Sequence, residues 1–90
     1  MNPEKQAKLF KALGDPTRLL IVAMLLKGEQ CVCRIIPDTG KSQPTVSAHL
    51  KILNEAGIVK FRRDGLSVYY FLADEKIKEL LSISKRIKET

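Results

Sequence analysis

Two cysteines and a single histidine are the side chains of this 90-residue chain with the most distinctive chemistry. Cys31 and Cys33 flank Val32, and His49 stands sixteen residues further on. A close pair of thiolates binds soft metal ions or undergoes oxidation. Nothing places His49 beside a cysteine, and no third orienting group, glycine-rich phosphate loop or paired carboxylate set is evident. We therefore do not expect an enzyme.

The segment from Ser42 to Leu53 predicts an amphipathic helix whose outer face suits DNA. Ser42 can cap its first turn, and Val46, Leu50 and Leu53 form one buried stripe. The remaining face is small, polar or mildly basic and has no acid, whereas an ordinary surface helix mixes both charges. A DNA groove requires hydrogen-bonding side chains without negative charge. The predicted DNA contacts here are Ser42, Gln43, Thr45, Ser47, Ala48, His49 and Lys51.

The preceding elements would position this helix. Residues 3–13 predict a first helix, and residues 19–26 are apolar nearly all round, which predicts a second helix buried at the centre of the domain. Arg18 is expected to have a structural role or to contact phosphate. Residues 31–38 predict a short third helix that contains both cysteines and is loosened by Pro37. A short helix, a turn and a polar-faced helix form a helix-turn-helix.

After this unit the residues alternate as a strand, and Asp64-Gly65 predicts a type I′ hairpin turn. Residues 66–72 return as a second strand rich in β-formers. The basic side chains Lys60, Arg62 and Arg63 lie near the tip, so the hairpin is interpreted as the wing of a winged helix that contacts DNA. A solvated hairpin is the alternative.

Residues 74–88 predict a last helix whose apolar side is broad. Such a helix either packs on its own core or forms a dimer interface. Since 90 residues bury a small core, dimerisation would add stability.

Composition agrees with a single DNA-binding domain over residues 1–90. The net charge is +6, which suits a polyanionic partner, and 44% hydrophobic with 29% charged residues is typical of a soluble globular protein. The apolar run 19–26 is too short to cross a bilayer, and the N-terminus has no signal-peptide pattern. We expect a cytoplasmic protein with no membrane partner.

Taken together, these segments resemble the ArsR/SmtB family of metal-sensing repressors over almost the whole chain. The resemblance implies a mostly α fold with a small β-hairpin, a homodimeric winged helix-turn-helix that binds an operator of two half-sites. It also implies that the first and last helices form the dimer interface, through Leu9, Phe10, Leu13, Ile77, Leu80, Leu81 and Ile87. The matching segments are residues 12–18 (Ala-Leu-Gly-Asp-Pro-Thr-Arg), Cys31-Val32-Cys33, residues 42–53, Glu55-Ala56-Gly57 and Tyr69-Tyr70.

The resemblance also bears on the inducer. Arsenic-responsive members have a third cysteine three positions after the second, where this chain has Ile36. As(III) and Sb(III) prefer three thiolates, whereas two thiolates alone suit Hg(II) or Cu(I). Zinc-responsive members place Asp and His ligands on the last helix, which has no histidine here. Cys31 and Cys33 are therefore the predicted metal ligands, and His49 is more readily a DNA contact.

These observations leave three hypotheses about function open. In the first, a repressor leaves its operator when Cys31 and Cys33 bind a soft metal or metalloid such as arsenite. In the second, the same cysteines form a redox switch, with a sulfenic acid or an intersubunit disulfide favoured over a strained bridge between residues two apart. In the third, the winged helix is a protein-interaction module. Two inert buried cysteines are the structural alternative to both sensing roles.

Overall fold

Five helices and a three-stranded antiparallel sheet make up the fold in the computed structural model, which describes residues 1–87. This is the predicted winged helix-turn-helix, with one more strand than expected. The helices are α1 (Pro3–Leu13), α2 (Pro16–Leu26), α3 (Val32–Thr39), α4 (Gln43–Glu55) and α5 (Lys76–Lys85), and the strands are β1 (Gln30–Cys31), β2 (Val59–Asp64) and β3 (Ser67–Leu72).

Local sequence explains where the first two helices begin. The Asn2 side chain accepts a hydrogen bond from the Lys5 amide at 2.8 Å, and the Asp15 carboxylate accepts one from the Arg18 amide at 3.0 Å. Each cap precedes a proline in the first helical turn, where a missing amide proton costs little. The bond from the Arg18 amide is the main reason that the pKa of Asp15 lies below its usual value.

The core lies where α2, α3 and α4 meet the base of the hairpin. Ile21, Ile35 and Leu53 are fully buried there, together with Ile58 and Val59. The predicted stripe of α4 is confirmed, since Val46, Leu50 and Leu53 are its buried residues.

The expectation that α2 is buried all round is wrong for the single chain. Its Ile21, Val22 and Leu25 are buried, but Leu19 is 41% exposed and Leu20 is 45% exposed. With no further layer on the outer side of α2, one face of the helix packs against the core and the other faces outward.

The sheet has the order β1-β3-β2, and β1 was not predicted. Its two residues pair with the wing, with Gln30 opposite Tyr70 and Cys31 opposite Tyr69. Cys31 therefore ends a strand instead of lying inside the third helix, which begins at Val32. Two residues are too few for a periodic pattern, so only the long-range pairing defines this strand.

The hairpin turn lies one residue later than predicted. Asp64 pairs with Ser67, so Gly65 and Leu66 are the central residues. Gly65 has φ +61°, and within residues 1–87 no residue other than glycine has a positive φ. A type I′ turn is therefore excluded, and glycine in the first central position fits a type II′ turn.

The last helix is shorter than the predicted span of 74–88. It begins at Lys76 and ends at Lys85, and residue 88 lies outside the described residues. No helix within residues 1–87 combines the length and the apolar character needed to span a bilayer.

Candidate DNA interface and thiol groove

The outer face of α4 presents the polar side chains predicted to contact DNA. Ser42 caps the helix, since its hydroxyl accepts from the Thr45 amide at 3.4 Å and donates to the Thr45 hydroxyl at 3.0 Å. All of the predicted contacts on α4 and its cap are exposed except His49, which is half-buried. A capped helix with an exposed, acid-free first turn can approach a phosphate backbone and present donors and acceptors to base edges. The exposed members are Ser42, Gln43, Thr45, Ser47, Ala48 and Lys51.

Arg18, on α2, holds the imidazole ring of His49 on α4 through a hydrogen bond. Its Nη1 lies 3.1 Å from His49 Nδ1, and its Nε donates to the Ala12 carbonyl at 2.6 Å. A guanidinium only donates, so Nδ1 of His49 accepts and the ring proton resides on Nε2. Arg18 thus ties the end of α1 to α4, which supports a structural role over a phosphate contact.

The two faces of the wing differ in what they contact. Phe61 packs against Tyr70 with ring centroids 5.4 Å apart, and the Arg63 guanidinium lies 5.8 Å from the Phe61 ring. Because side chains alternate along a strand, Arg62 and Lys60 point to the opposite face. The three wing cations predicted from the sequence are therefore divided, with Arg63 alone on the side of Phe61 and Tyr70.

Arg62 is bound to an acid within its own chain. Its Nε and Nη2 donate to the two carboxylate oxygens of Glu29 at 2.9 and 2.7 Å, and its guanidinium lies 4.6 Å from the centre of the Tyr69 ring. These hydrogen bonds hold the pKa of Glu29 below its usual value and raise the pKa of Arg62. No local pattern predicts this pair, because its members are separated by 33 residues.

A groove of about 500 Å³ brings the cysteines and the predicted DNA-contacting residues together. Cys31 and Cys33 lie on one side, with Gln43 and Ser47 of α4 and Arg63 of the wing also lining it. Sequence reasoning predicted these residues separately but not the groove they share. A chemical change at the sulfurs would therefore take place beside the surface predicted to contact DNA.

The two cysteines form a disulfide within the chain. The turn from β1 into α3 brings their Cα atoms to 5.1 Å, within the range that a disulfide spans, while the preference of oxidation for a sulfenic acid or an intersubunit disulfide stays a prediction. Cys31 is the N-cap of α3, and its sulfur accepts from the Cys33 amide at 3.2 Å. Cys31 is half-buried and Cys33 is exposed, so they are not two inert core residues.

The donor set fits a soft ion of low coordination number once the sulfurs are reduced. Within residues 1–87, no group of three or more His, Cys, Asp or Glu side chains is arranged to hold a metal ion. Ile36, at the place of the third cysteine, lines the groove. Two thiolates are therefore the protein ligands that this part of the chain can offer, which suits soft ions.

The residues predicted for the dimer interface differ in their exposure in the single chain. Leu13 is 7% exposed and Ile77 is 6% exposed, so both pack in the core of their own chain. Leu9, Leu80 and Leu81 are partly buried, whereas Phe10 and Ile87 are exposed. Leu19, Leu20 and Ile83, which were not assigned to an interface, are also exposed.

A helix-turn-helix followed by a two-stranded wing, with the polar face of α4 exposed, defines a winged-helix transcriptional regulator. Residues 15–60 match the family model described as bacterial regulatory protein, arsR family. The chain belongs to this family, whose members are DNA-binding transcriptional regulators and not enzymes.

Curated relatives agree with this assignment. An HTH-type transcriptional regulator of Methanocaldococcus jannaschii is 49% identical over 89% of this chain and 91% of its own. A CadC homologue of Staphylococcus aureus, a cadmium resistance transcriptional regulatory protein, is 47% identical over 89% of this chain and 67% of its own. A probable mercury resistance operon repressor of Streptomyces lividans is 37% identical over 93% of this chain and 67% of its own.

Solved structures agree as well. Rv0081 of Mycobacterium tuberculosis has a TM-score of 0.87 at 31% identity, over 97% of this chain and 90% of that chain. The homodimeric winged helix-turn-helix domain of Mb0332 from Mycobacterium bovis, a possible ArsR-family regulator, has a TM-score of 0.84 at 35% identity. That match covers 91% of this chain and 76% of the other.

Proposed function

We propose that this protein is a homodimeric repressor that leaves its operator when reduced Cys31 and Cys33 bind a soft metal ion. The observation that carries the proposal is the shared groove, lined by both cysteines together with Gln43, Ser47 and Arg63. In this proposal α4 reads base edges in the major groove of DNA, and the wing contacts the flanking backbone.

The position of Cys31 supports a simple coupling. It is at once the last residue of β1 and the N-cap of α3, so a ligand that draws the two sulfurs together alters the start of α3. α3 packs against both α4 and β3. A coupling of about 1–3 kcal/mol between the two sites would change operator affinity by about 5- to 150-fold.

The donor set favours two-coordinate ions over arsenite. As(III) and Sb(III) prefer three thiolates, and Ile36 replaces the third. Hg(II) and Cu(I) are better matched to two thiolates. The names of two relatives, which refer to cadmium and mercury resistance, support a soft divalent ion as the inducer class.

The test is fluorescence anisotropy of the reduced protein on DNA from upstream of its own gene, titrated with Hg(II), Cu(I), Cd(II), Zn(II), arsenite and antimonite. We expect release by Hg(II) or Cu(I) in the wild type and none in the Cys31→Ser/Cys33→Ser variant. The variant should bind the operator with the wild-type affinity. Equal release of both proteins would exclude a thiolate sensor.

Thiol oxidation is the second candidate, favoured by the disulfide between Cys31 and Cys33. Forming that bond removes two electrons and two protons from the thiols, which a peroxide accepts as it is reduced to water or an alcohol. In this case peroxide releases the protein from DNA, dithiothreitol restores binding, and no metal ion is required. Release by peroxide alone, with all six ions inactive, would replace the metal proposal with this one.

A further inference from the structure

We infer that Glu29 and Arg62 are positioning residues that transmit the state of the cysteine pair to the wing, and that Arg62 is therefore not a phosphate contact. The inference rests on the proposed function for its coupling part. That Arg62 does not contact phosphate is inferred from the geometry of the wing alone.

Glu29 and Arg62 form a bidentate ion pair, whose geometry is more specific than that of a single-point surface contact. Two parallel hydrogen bonds of 2.9 and 2.7 Å join the guanidinium of Arg62 to the carboxylate of Glu29. The same guanidinium lies over the Tyr69 ring at 4.6 Å. Isolated surface ion pairs contribute little, but two-point geometry and stacking on an aromatic ring fix the orientation of the arginine.

The register of the sheet places Arg62 in line with Cys31. Cys31 of β1 is opposite Tyr69 of β3, and Tyr69 is opposite Arg62 of β2. The three residues therefore form one row across the sheet, and Glu29, two residues before Cys31, reaches Arg62 across β3. β1 contributes only two residues to the ladder and does not pair with β2 directly, so the Glu29–Arg62 pair adds a side-chain link between the cysteine segment and β2 that backbone pairing does not supply.

The charge of Arg62 is already compensated. A phosphate would have to compete with Glu29 for Nε and Nη2, and it would approach two nearby carboxylates, because Asp64 lies 4.0 Å from Nη1. Arg63 differs, because the alternation of β2 places it on the opposite face, where it lines the groove shared with Gln43 and Ser47. Of the two arginines, we therefore expect Arg63 to contact phosphate and to release counterions from the DNA.

The test uses the charge-neutral double variant Glu29→Gln/Arg62→Gln, which removes the ion pair and leaves net charge unchanged. The control is Arg34→Gln/Asp38→Asn, which removes an exposed ion pair on α3, at 4.0 Å, in the same way. Metal binding by the thiols is followed separately from DNA binding, by ultraviolet absorbance of the thiolate-to-metal transition during titration with Hg(II).

We expect the Glu29/Arg62 variant to bind Hg(II) and the operator as the wild type does, but release upon Hg(II) binding should fall below about fivefold. The charge-swapped variant Glu29→Arg/Arg62→Glu should recover part of the release, and the Arg34/Asp38 control should release fully. Full release by the Glu29/Arg62 variant would overturn the coupling.

Salt dependence tests the phosphate statement independently. The slope of log affinity against log salt should stay at the wild-type value in Glu29→Gln/Arg62→Gln and fall by about 0.9 in Arg63→Ala. A fall of about 0.9 in the double variant would show that Arg62 binds phosphate and overturn this part. A wild-type protein that no ion or peroxide releases would overturn the proposed function and the coupling together, while the salt slopes would still decide the role of Arg62.

Discussion

The side chains on the outer face of α4 determine what the helix can read. Gln43 carries both a donor and an acceptor, and the Ser47 hydroxyl serves as either. Both are exposed in the groove between α4 and the wing. Since Arg18 holds the Nδ1 edge of His49, the Nε2 proton is the donor that His49 can offer to DNA.

Replacement of Gln43 or Ser47 by Ala is expected to weaken operator binding more than binding to unrelated DNA. A lost base contact costs about 1–3 kcal/mol of discrimination, whereas Arg63→Ala should weaken both kinds of binding about equally. Competition anisotropy with operator and scrambled duplexes at one salt concentration measures the ratio. Equal losses for all three variants would count against this recognition face.

The contrast between Arg62 and Arg63 shows what the sequence could not predict at this scale. Both were expected to contact DNA because both lie on a basic strand. Their separation onto two faces follows from strand alternation, but the engagement of Arg62 by Glu29 depends on β1 being placed beside β3. A partner 33 residues away leaves no local pattern.

At the scale of the elements, helices were easier to predict than strand details. Ser42 caps its helix as expected, and Asn2 and Asp15 cap theirs through the same local pattern of residues three positions apart. The turn was misplaced by one residue because Asp-Gly is a strong local signal for type I′. The observed register instead places Phe61 opposite Tyr70, where the two rings are in contact.

The pairing of Glu29 with Arg62 should make the attachment of β1 to the wing sensitive to acid. The pKa of Glu29 is lowered in the folded protein, so its stabilising contribution is present above its usual pKa of 4.5 and is lost as pH falls through the lower folded value. The pKa of Asp15 is lowered as well, so protonation of Asp15 also destabilises the folded protein in acid. The contribution of Glu29 is therefore isolated by comparing the wild type with a variant that lacks only the Glu29 carboxylate.

We therefore expect urea unfolding of the wild type and of Glu29→Gln to differ most above pH 4.5 and to converge as the solution becomes more acidic. Circular dichroism melts in urea at several pH values measure the difference in unfolding free energy. A difference that grows on acidification would have the wrong sign for an ion pair and would count against it.

At the scale of the whole molecule, exposed apolar side chains on α1 and α2 lie on the surface that we propose contacts a second copy. Leu19 and Leu20 line a depression of about 380 Å³ between α2 and α5, with Leu81 at its other side. Phe10 on α1 is 53% exposed. The family resemblance predicted an interface formed by α1 and α5, whereas the outward face of α2 became evident only from the packing.

Substitution of Leu20 by Asp is expected to shift the protein toward monomer and to weaken binding to a two-site operator, because a charge on this face has to be desolvated in the interface. Sedimentation velocity gives the oligomeric state. Leu66→Asp is the matched control, since Leu66 is fully exposed on the wing and its replacement should leave the state unchanged. If both variants sediment as the wild type does, the interface lies elsewhere.

The sheet order described above has a consequence for solubility. β2 lies at the edge of the sheet, so one side of its backbone carries groups that could pair with a strand of another molecule. The basic side chains of Lys60, Arg62 and Arg63 lie along that edge. Their positive charge opposes pairing with the β2 strand of a second molecule. The cations of the wing are therefore expected to protect the DNA-free protein against aggregation, and a variant that neutralises Lys60 and Arg63 should lose solubility as well as DNA affinity.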